Sequence, residues 1–207
     1  MKRLLLAFFL CSAFTLHGNE KTDYSNIDVA WTVSWNRFYH SGTHLFYDYI
    51  SSYEKGKELS HLPTQQEVSR QYPNPCGYGT GMEDCAILTG TMLGTLVDRY
   101  EQTGDEQMKN FASLLLEGLK RCSLIPGFSG FVARGVCTED GKSFYYNSSR
   151  DQYTHCVHGV WKYYNSSLSN DSGRKIARSI LTDIADRMHK NVIAENNFDF
   201  LQADGKP

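Results

Sequence analysis

Residues 147–164 read Asn147-Ser-Ser-Arg-Asp-Gln-Tyr-Thr-His-Cys-Val-His-Gly-Val-Trp-Lys-Tyr-Tyr164, and the spacing of their apolar and charged members decides the fold. At roughly 100° per residue, Asp151, His155, His158 and Lys162 fall on one line of a helix, with Tyr153, Val157, Val160 and Tyr164 opposite. One side is built for burial and the other for solvent or a ligand. Ser149 and Gln152 stand where a helix start places its capping groups. Just upstream, Phe128–Tyr146 has no helical period, and Phe131, Val132 and Val136 suit a short strand or an extended loop. An irregular, aromatic-rich loop that runs into a scaffold helix is a common place for a binding site.

The polar line has two readings. Any surface helix has a solvated face, and Asp151 with His155 is an ordinary i,i+4 pair. A line that carries two of the chain's seven histidines equally suits a cleft. Two imidazoles three residues apart are at most half a metal site, and no His-Glu-x-x-His pattern accompanies them. Neither a metal nor a cofactor is expected.

Working outward, the same periodicity predicts helices over 82–100, 105–121 and 173–190 in addition to 150–165, packed as antiparallel neighbours. Ile87, Leu93, Leu96, Val97 and Tyr100 supply one apolar face, and Thr80 with Glu83 has capping-box spacing before it. Thr103 with Glu106 repeats that spacing before Phe111, Leu114, Leu115 and Leu119. Asn170-Asp-Ser precedes Ile176, Ile180, Leu181, Ile184 and Met188. Gly90 and Gly94, one turn apart, permit another helix to approach closely. Trp31, Trp35, Phe38, His40, Leu45, Tyr49 and Tyr53 predict one or two aromatic helices across 28–55, broken at Ser41-Gly42. Their rings serve equally as core or as a sugar-stacking surface. The fold class is all-α.

Asp84 also has two readings. Glu83 is accounted for by capping, whereas Asp84 is either a first-turn acid favoured by the helix dipole or a site residue beside the loop Gly77-Tyr-Gly-Thr-Gly81.

The first eighteen residues stand apart. Lys2 and Arg3 precede the apolar run Leu4–Leu10, and Cys11, Ser12 and Ala13 follow, the layout of a secretory signal and not of a membrane span. The expected organisation is a signal peptide over 1–18 and a single helical domain over 19–207, secreted or periplasmic after cleavage. Removing Lys2 and Arg3 from the 21 basic residues leaves 19 against 23 acidic ones, a formal charge of −4. No basic stripe is present, which argues against a nucleic-acid partner. Five cysteines follow the signal, an odd number, with Cys76–Cys85 and Cys122–Cys137 as candidate pairs and Cys156 as a core residue.

The order of a Gly-rich loop into Met82-Glu-Asp, a helical hairpin, Pro126-Gly-Phe…Arg134-Gly, and Ser148-Ser-Arg-Asp-Gln-Tyr resembles the six-hairpin glycosidase-like superfamily, including proteins of the unsaturated-uronyl hydrolase type. The resemblance spans roughly Trp31 to Pro207 and implies antiparallel helical hairpins forming part of an (α/α)6 toroid that binds carbohydrate at one end. It also implies a glycoside hydrolase-like activity on an oligosaccharide or a uronic-acid-containing glycan, with Asp84 and Asp151 as paired acids and His155 assisting proton transfer. Arg134 would orient an anionic sugar, and Trp35, Tyr78, Tyr146, Arg150 and His158 complete the expected binding set. The helices recognised are too few to close a ring of about twelve, so a truncated toroid is expected. The alternative is a non-catalytic carbohydrate-binding or structural helical protein in which Trp31, Trp35, Tyr78, Tyr145 and Tyr146 matter more than any acid.

Overall fold

The computed structural model describes residues 24–207, so the export signal read at 1–18 lies outside the described residues. Helix α1 (Tyr24–Arg37) leads into a two-stranded antiparallel hairpin, β1 (Tyr39–His40) and β2 (Leu45–Phe46). A long connection carries the short helix α2 (Gln65–Ser69), and four long helices follow: α3 (Cys85–Thr103), α4 (Gln107–Ser123), α5 (Arg150–Asn165) and α6 (Asp171–Asn191). The last four agree with the periodicity to within a few residues.

Each consecutive pair forms an antiparallel hairpin. Gly104 turns the chain between α3 and α4 in the left-handed conformation, φ 66°, while its amide donates to the Tyr100 carbonyl, the αL cap for which glycine is suited. Between α5 and α6, the Asn170 side chain accepts from the Gly173 amide at 2.7 Å. Tyr163 then lies against Gly173, and Tyr153 lies near Arg187, which fixes the opposite directions of the two helices.

Between hairpins the relation reverses. Gln152 reaches Asp84 at 2.8 Å, His155 meets Thr91 at 3.2 Å and Lys162 meets Asp98 at 2.5 Å, so α5 advances along α3 in the same direction. This is the most extensive helix contact in the molecule, and glycine makes it: a Cβ on Gly90 would run into the His155 carbonyl, and one on Gly159 into the Gly90 carbonyl. The predicted antiparallel order therefore holds within hairpins, while α3 and α5 form a parallel pair whose N-terminal ends coincide. Leu93, Leu96 and Val97 of α3 share one core with Leu115, Leu116 and Leu119 of α4, Val160 of α5 and Ile180 of α6.

Two expectations fail locally. The segment after Arg37 is a hairpin and a loop instead of a second aromatic helix, because His44 takes a positive φ of 61° in the turn and Tyr47 is drawn fully into the core, where its hydroxyl donates to the Val136 carbonyl at 2.7 Å. Neither predicted capping box forms. Glu83 instead accepts from the Gly79 and Gly81 amides at 3.1 and 2.8 Å, and Glu106 turns to Lys109 and Tyr100. A capping box does form at Thr64 with Glu67, at the start of α2.

The stretch Phe131–Cys137 is wholly buried yet neither helical nor extended into a sheet. Its backbone groups find partners one at a time: Ala133 N–H donates to the Cys122 carbonyl, Ala86 N–H to the Arg134 carbonyl, and Cys137 N–H to the Ser143 carbonyl, each at 2.8 Å. The five described cysteines are all free thiols. Cys85, Cys122, Cys137 and Cys156 are buried, and burial pushes the Cys156 thiol up to about 12.

Candidate carboxylate site at the shared end of α3 and α5

Asp84 occupies the N-cap position of α3, where an aspartate ordinarily folds back to accept an amide of the first turn. Here its side chain makes no capping bond. The amide of Ala86, within that first turn, is taken by the Arg134 carbonyl, and the amides of Glu83 and Asp84 are taken by the carboxylate of Asp48 at 3.0–3.1 Å. Freed from the cap, Asp84 Oδ1 accepts from Gln152 Nε2 at 2.8 Å and lies 3.6 Å from the Arg134 guanidinium. Among the described residues Oδ2 takes no hydrogen bond, and the side chain is 47% exposed. One oxygen is anchored and the other faces outward.

The anchors are buried. Arg134 has a side chain only 4% exposed. Its terminal nitrogens donate to the Glu83 carbonyl at 3.1 Å and to the Tyr78 hydroxyl and Asn147 Oδ1, both at 3.2 Å. The guanidinium also stacks 4.9 Å from the centre of the Tyr78 ring, a cation–π contact. Gln152, fully buried, donates to the Glu83 carbonyl as well as to Asp84. Arg134 is thus a structural keystone whose terminal nitrogens are already hydrogen-bonded within the protein.

Asp48 lies beneath this loop. Burial, followed by the nearby Glu83 carboxylate, pushes its carboxyl up to about 7, against the opposing pull of the backbone amides it accepts. Beside it Tyr49 stacks on His61 with ring centres 4.6 Å apart and donates to the Gly79 carbonyl at 2.8 Å. Burial holds the His61 imidazole below its ordinary value.

The remaining expected residues divide by position. His155 meets the Thr91 hydroxyl on α3 through its Nδ1, two turns beyond Asp84. Asp151 lies in the first turn of α5, at the end where α3 also begins. Its side chain is 67% exposed and pairs with Arg150 at 3.8 Å. Tyr78 stands over Arg134 and is exposed. Arg150 lines a groove toward α6 with Trp161, Met188 and Phe200, and His158 borders that groove while its imidazole also lies against Gly94 of α3. Tyr146 packs on Phe128 and Phe144. Trp35 is part of the aromatic core, its ring 4.5 Å from Phe111 and 5.0 Å from Phe46. Tyr145 is fully buried, its hydroxyl donating to the Tyr72 carbonyl.

Sequence reasoning missed Asp48, Asn147 and the true role of Gln152. Asp48 is 36 residues from Asp84 in the chain and precedes an irregular segment, so no period marks it. Gln152 carried a signal that was read as a cap. Among the described residues no three His, Cys, Asp or Glu side chains form a group suited to a metal ion, and no helix is long and apolar enough to cross a membrane. The chain matches no protein family, no curated protein and no solved structure.

Proposed function

We propose that this protein acts on an oligosaccharide as a glycoside hydrolase-like protein, with Asp84 and Asp151 as its paired carboxylates. The observation that carries the reading is the release of Asp84 from the capping role its position offers. A structural aspartate at an N-cap uses its oxygens on helix amides. Here the Arg134 carbonyl takes the Ala86 amide of the first turn, and Asp84 is held at one oxygen by Gln152 and open at the other. Glycosidic cleavage needs two such groups, one delivering a proton to the leaving oxygen and one activating water or attacking the sugar. Asp151 supplies the second from the start of the parallel helix. His155, one turn beyond Asp151, is the candidate to assist proton transfer.

The fold supports the same reading. A parallel inner pair, α3 and α5, each followed by an antiparallel outer helix that touches its counterpart, is the repeat from which an α/α toroid segment is made. In such an arrangement the inner helix starts share one rim, where a glycan would be met. With residues 1–18 read as a signal, the glycan is encountered outside the cytoplasm.

The test is to compare the longest native chain with its Asp84→Asn and Asp151→Asn forms on saturated and unsaturated oligosaccharides, following binding and turnover separately. Binding kept with turnover lost, by about 100-fold or more, supports catalytic carboxylates. Binding without turnover in every form supports a carbohydrate-binding protein instead. Unchanged turnover in both variants rejects the assignment.

A further inference from the structure

Resting on the carbohydrate reading above, we infer that the sugar ring nearest Asp84 is a neutral one, bearing a hydroxymethyl group where a uronate bears a carboxylate, and that it sits in the cleft between α1, β2 and α3. This cleft has a volume of about 310 Å³ and is walled chiefly by Phe38, Phe46, Leu88 and Met92, with Asp48 also among its lining residues. It is linked to the Asp84 site through α3 and Asp48. Positions 84, 88, 91 and 95 fall on one stripe of α3 at helical spacing, and Leu88, Thr91 and Thr95 all line the cleft. Asp48 joins the two from below, since it both lines the cleft and binds the amide of Asp84.

The polar groups of the cleft are mostly acceptors. The Ser34 hydroxyl donates to the Ala30 carbonyl at 2.8 Å and the Thr95 hydroxyl to the Thr91 carbonyl at 3.0 Å, so each spends its proton on its own helix and turns lone pairs outward. Asp48 adds a carboxyl group. A neutral sugar brings hydroxyl donors to such a wall and lays its C–H face on Phe38 and Met92, the pairing of apolar body and few polar groups that small-ligand clefts use. A uronate brings a negative charge instead, toward the Glu83 and Asp84 carboxyl groups that neighbour Asp48. The cation within that cluster is Arg134, buried and with its terminal nitrogens already bonded to Glu83, Tyr78 and Asn147. Like charges at such a site disfavour the anionic ring.

The test uses the full chain and a panel of oligosaccharide pairs that are identical except for a terminal neutral hexose or the corresponding hexuronate, with affinities measured by calorimetry. The neutral member of a bound pair is expected to bind at least ten-fold more tightly. Leu88→Trp, which fills the cleft from a partly exposed position, is expected to weaken neutral binding ten-fold or more with an unchanged melting temperature. Thr95→Arg, which adds a cation at the cleft wall, is expected to narrow the gap between the members of each pair. Equal or tighter binding of the hexuronate member, or neutral binding untouched by Leu88→Trp, overturns the inference while leaving the carbohydrate reading in place. Failure of every pair to bind overturns both.

Discussion

The starts of α3 and α5 lie side by side and point the same way, yet they are built differently. At α3 the acid at the helix start is surrounded by Asp48, Arg134 and Gln152, with the amides around it satisfied by groups distant in sequence. At α5 Ser149 makes no side-chain cap, and Asp151 stands in solvent beside Arg150. Burying polar groups costs free energy unless each is paired, so the buried Arg134 and Gln152 that hold Asp84 are expensive to build, whereas the exposed surroundings of Asp151 are not. The contrast implies that the orientation of Asp84 is fixed by the fold, whereas that of Asp151 is not.

The comparison breaks most visibly if the two helices are forced apart. Gly159→Val places a branched side chain against the Gly90 carbonyl, and overpacking at backbone contact costs about 3 kcal/mol. Chemical denaturation is expected to show a loss of at least that size, and a neutral outcome would mean that the parallel contact is not tight. Removing the keystone follows closely. Arg134→Met leaves the Glu83 carbonyl, the Tyr78 hydroxyl and Asn147 without their donor, an expected loss of about 3 kcal/mol. Arg150→Met at the other helix should stay within about 0.5 kcal/mol.

A smaller effect distinguishes the acids themselves. Asp84→Asn disturbs a hydrogen bond from a buried glutamine and should cost about 1 kcal/mol, while Asp151→Asn should be silent in stability. Equal costs would remove the distinction between cage and solvent.

The subtlest effect is in pH. Asp48 holds its proton more tightly in the folded chain, up to about 7, than an aspartate does in an unfolded one, about 3.9. Between those values the folded state binds more protons, so its contribution to stability is greatest below the lower value and declines as pH rises toward the upper. Asp48→Asn should flatten that part of the melting-temperature profile. A profile with the same slope in both proteins would mean that another group titrates there.

These effects also explain how much could be read from the sequence. The four long helices were legible because Leu93, Leu96 and Val97, or Ile176, Ile180 and Ile184, repeat at helical spacing whatever they pack against. Gly90 announced a close approach, though its partner Gly159 emerged only once α5 was placed. The segment after Arg37 was misread because Tyr39, Leu45, Phe46 and Tyr49 suit either a helix or a hairpin when their partners are unknown. Asp84 and His155 stand out by position at a helix start and on a polar line, and each contacts the facing helix. Asp48, Asn147 and Gln152 do not stand out, because their roles exist only where three separate stretches of chain meet. Arg134 stands out in the sequence as a charge in a loop, but its burial and its three internal partners appear only in the fold.

The central claim is that Asp84 has been released from its helix in order to meet a ligand. The most direct measurement is an experimental structure of the full chain with a bound oligosaccharide, of whichever pair binds. The account predicts a sugar hydroxyl or glycosidic oxygen within hydrogen-bond distance of Asp84 Oδ2, with Oδ1 still held by Gln152. An oligosaccharide bound elsewhere, with Asp84 turned back onto the amides of α3, would contradict it.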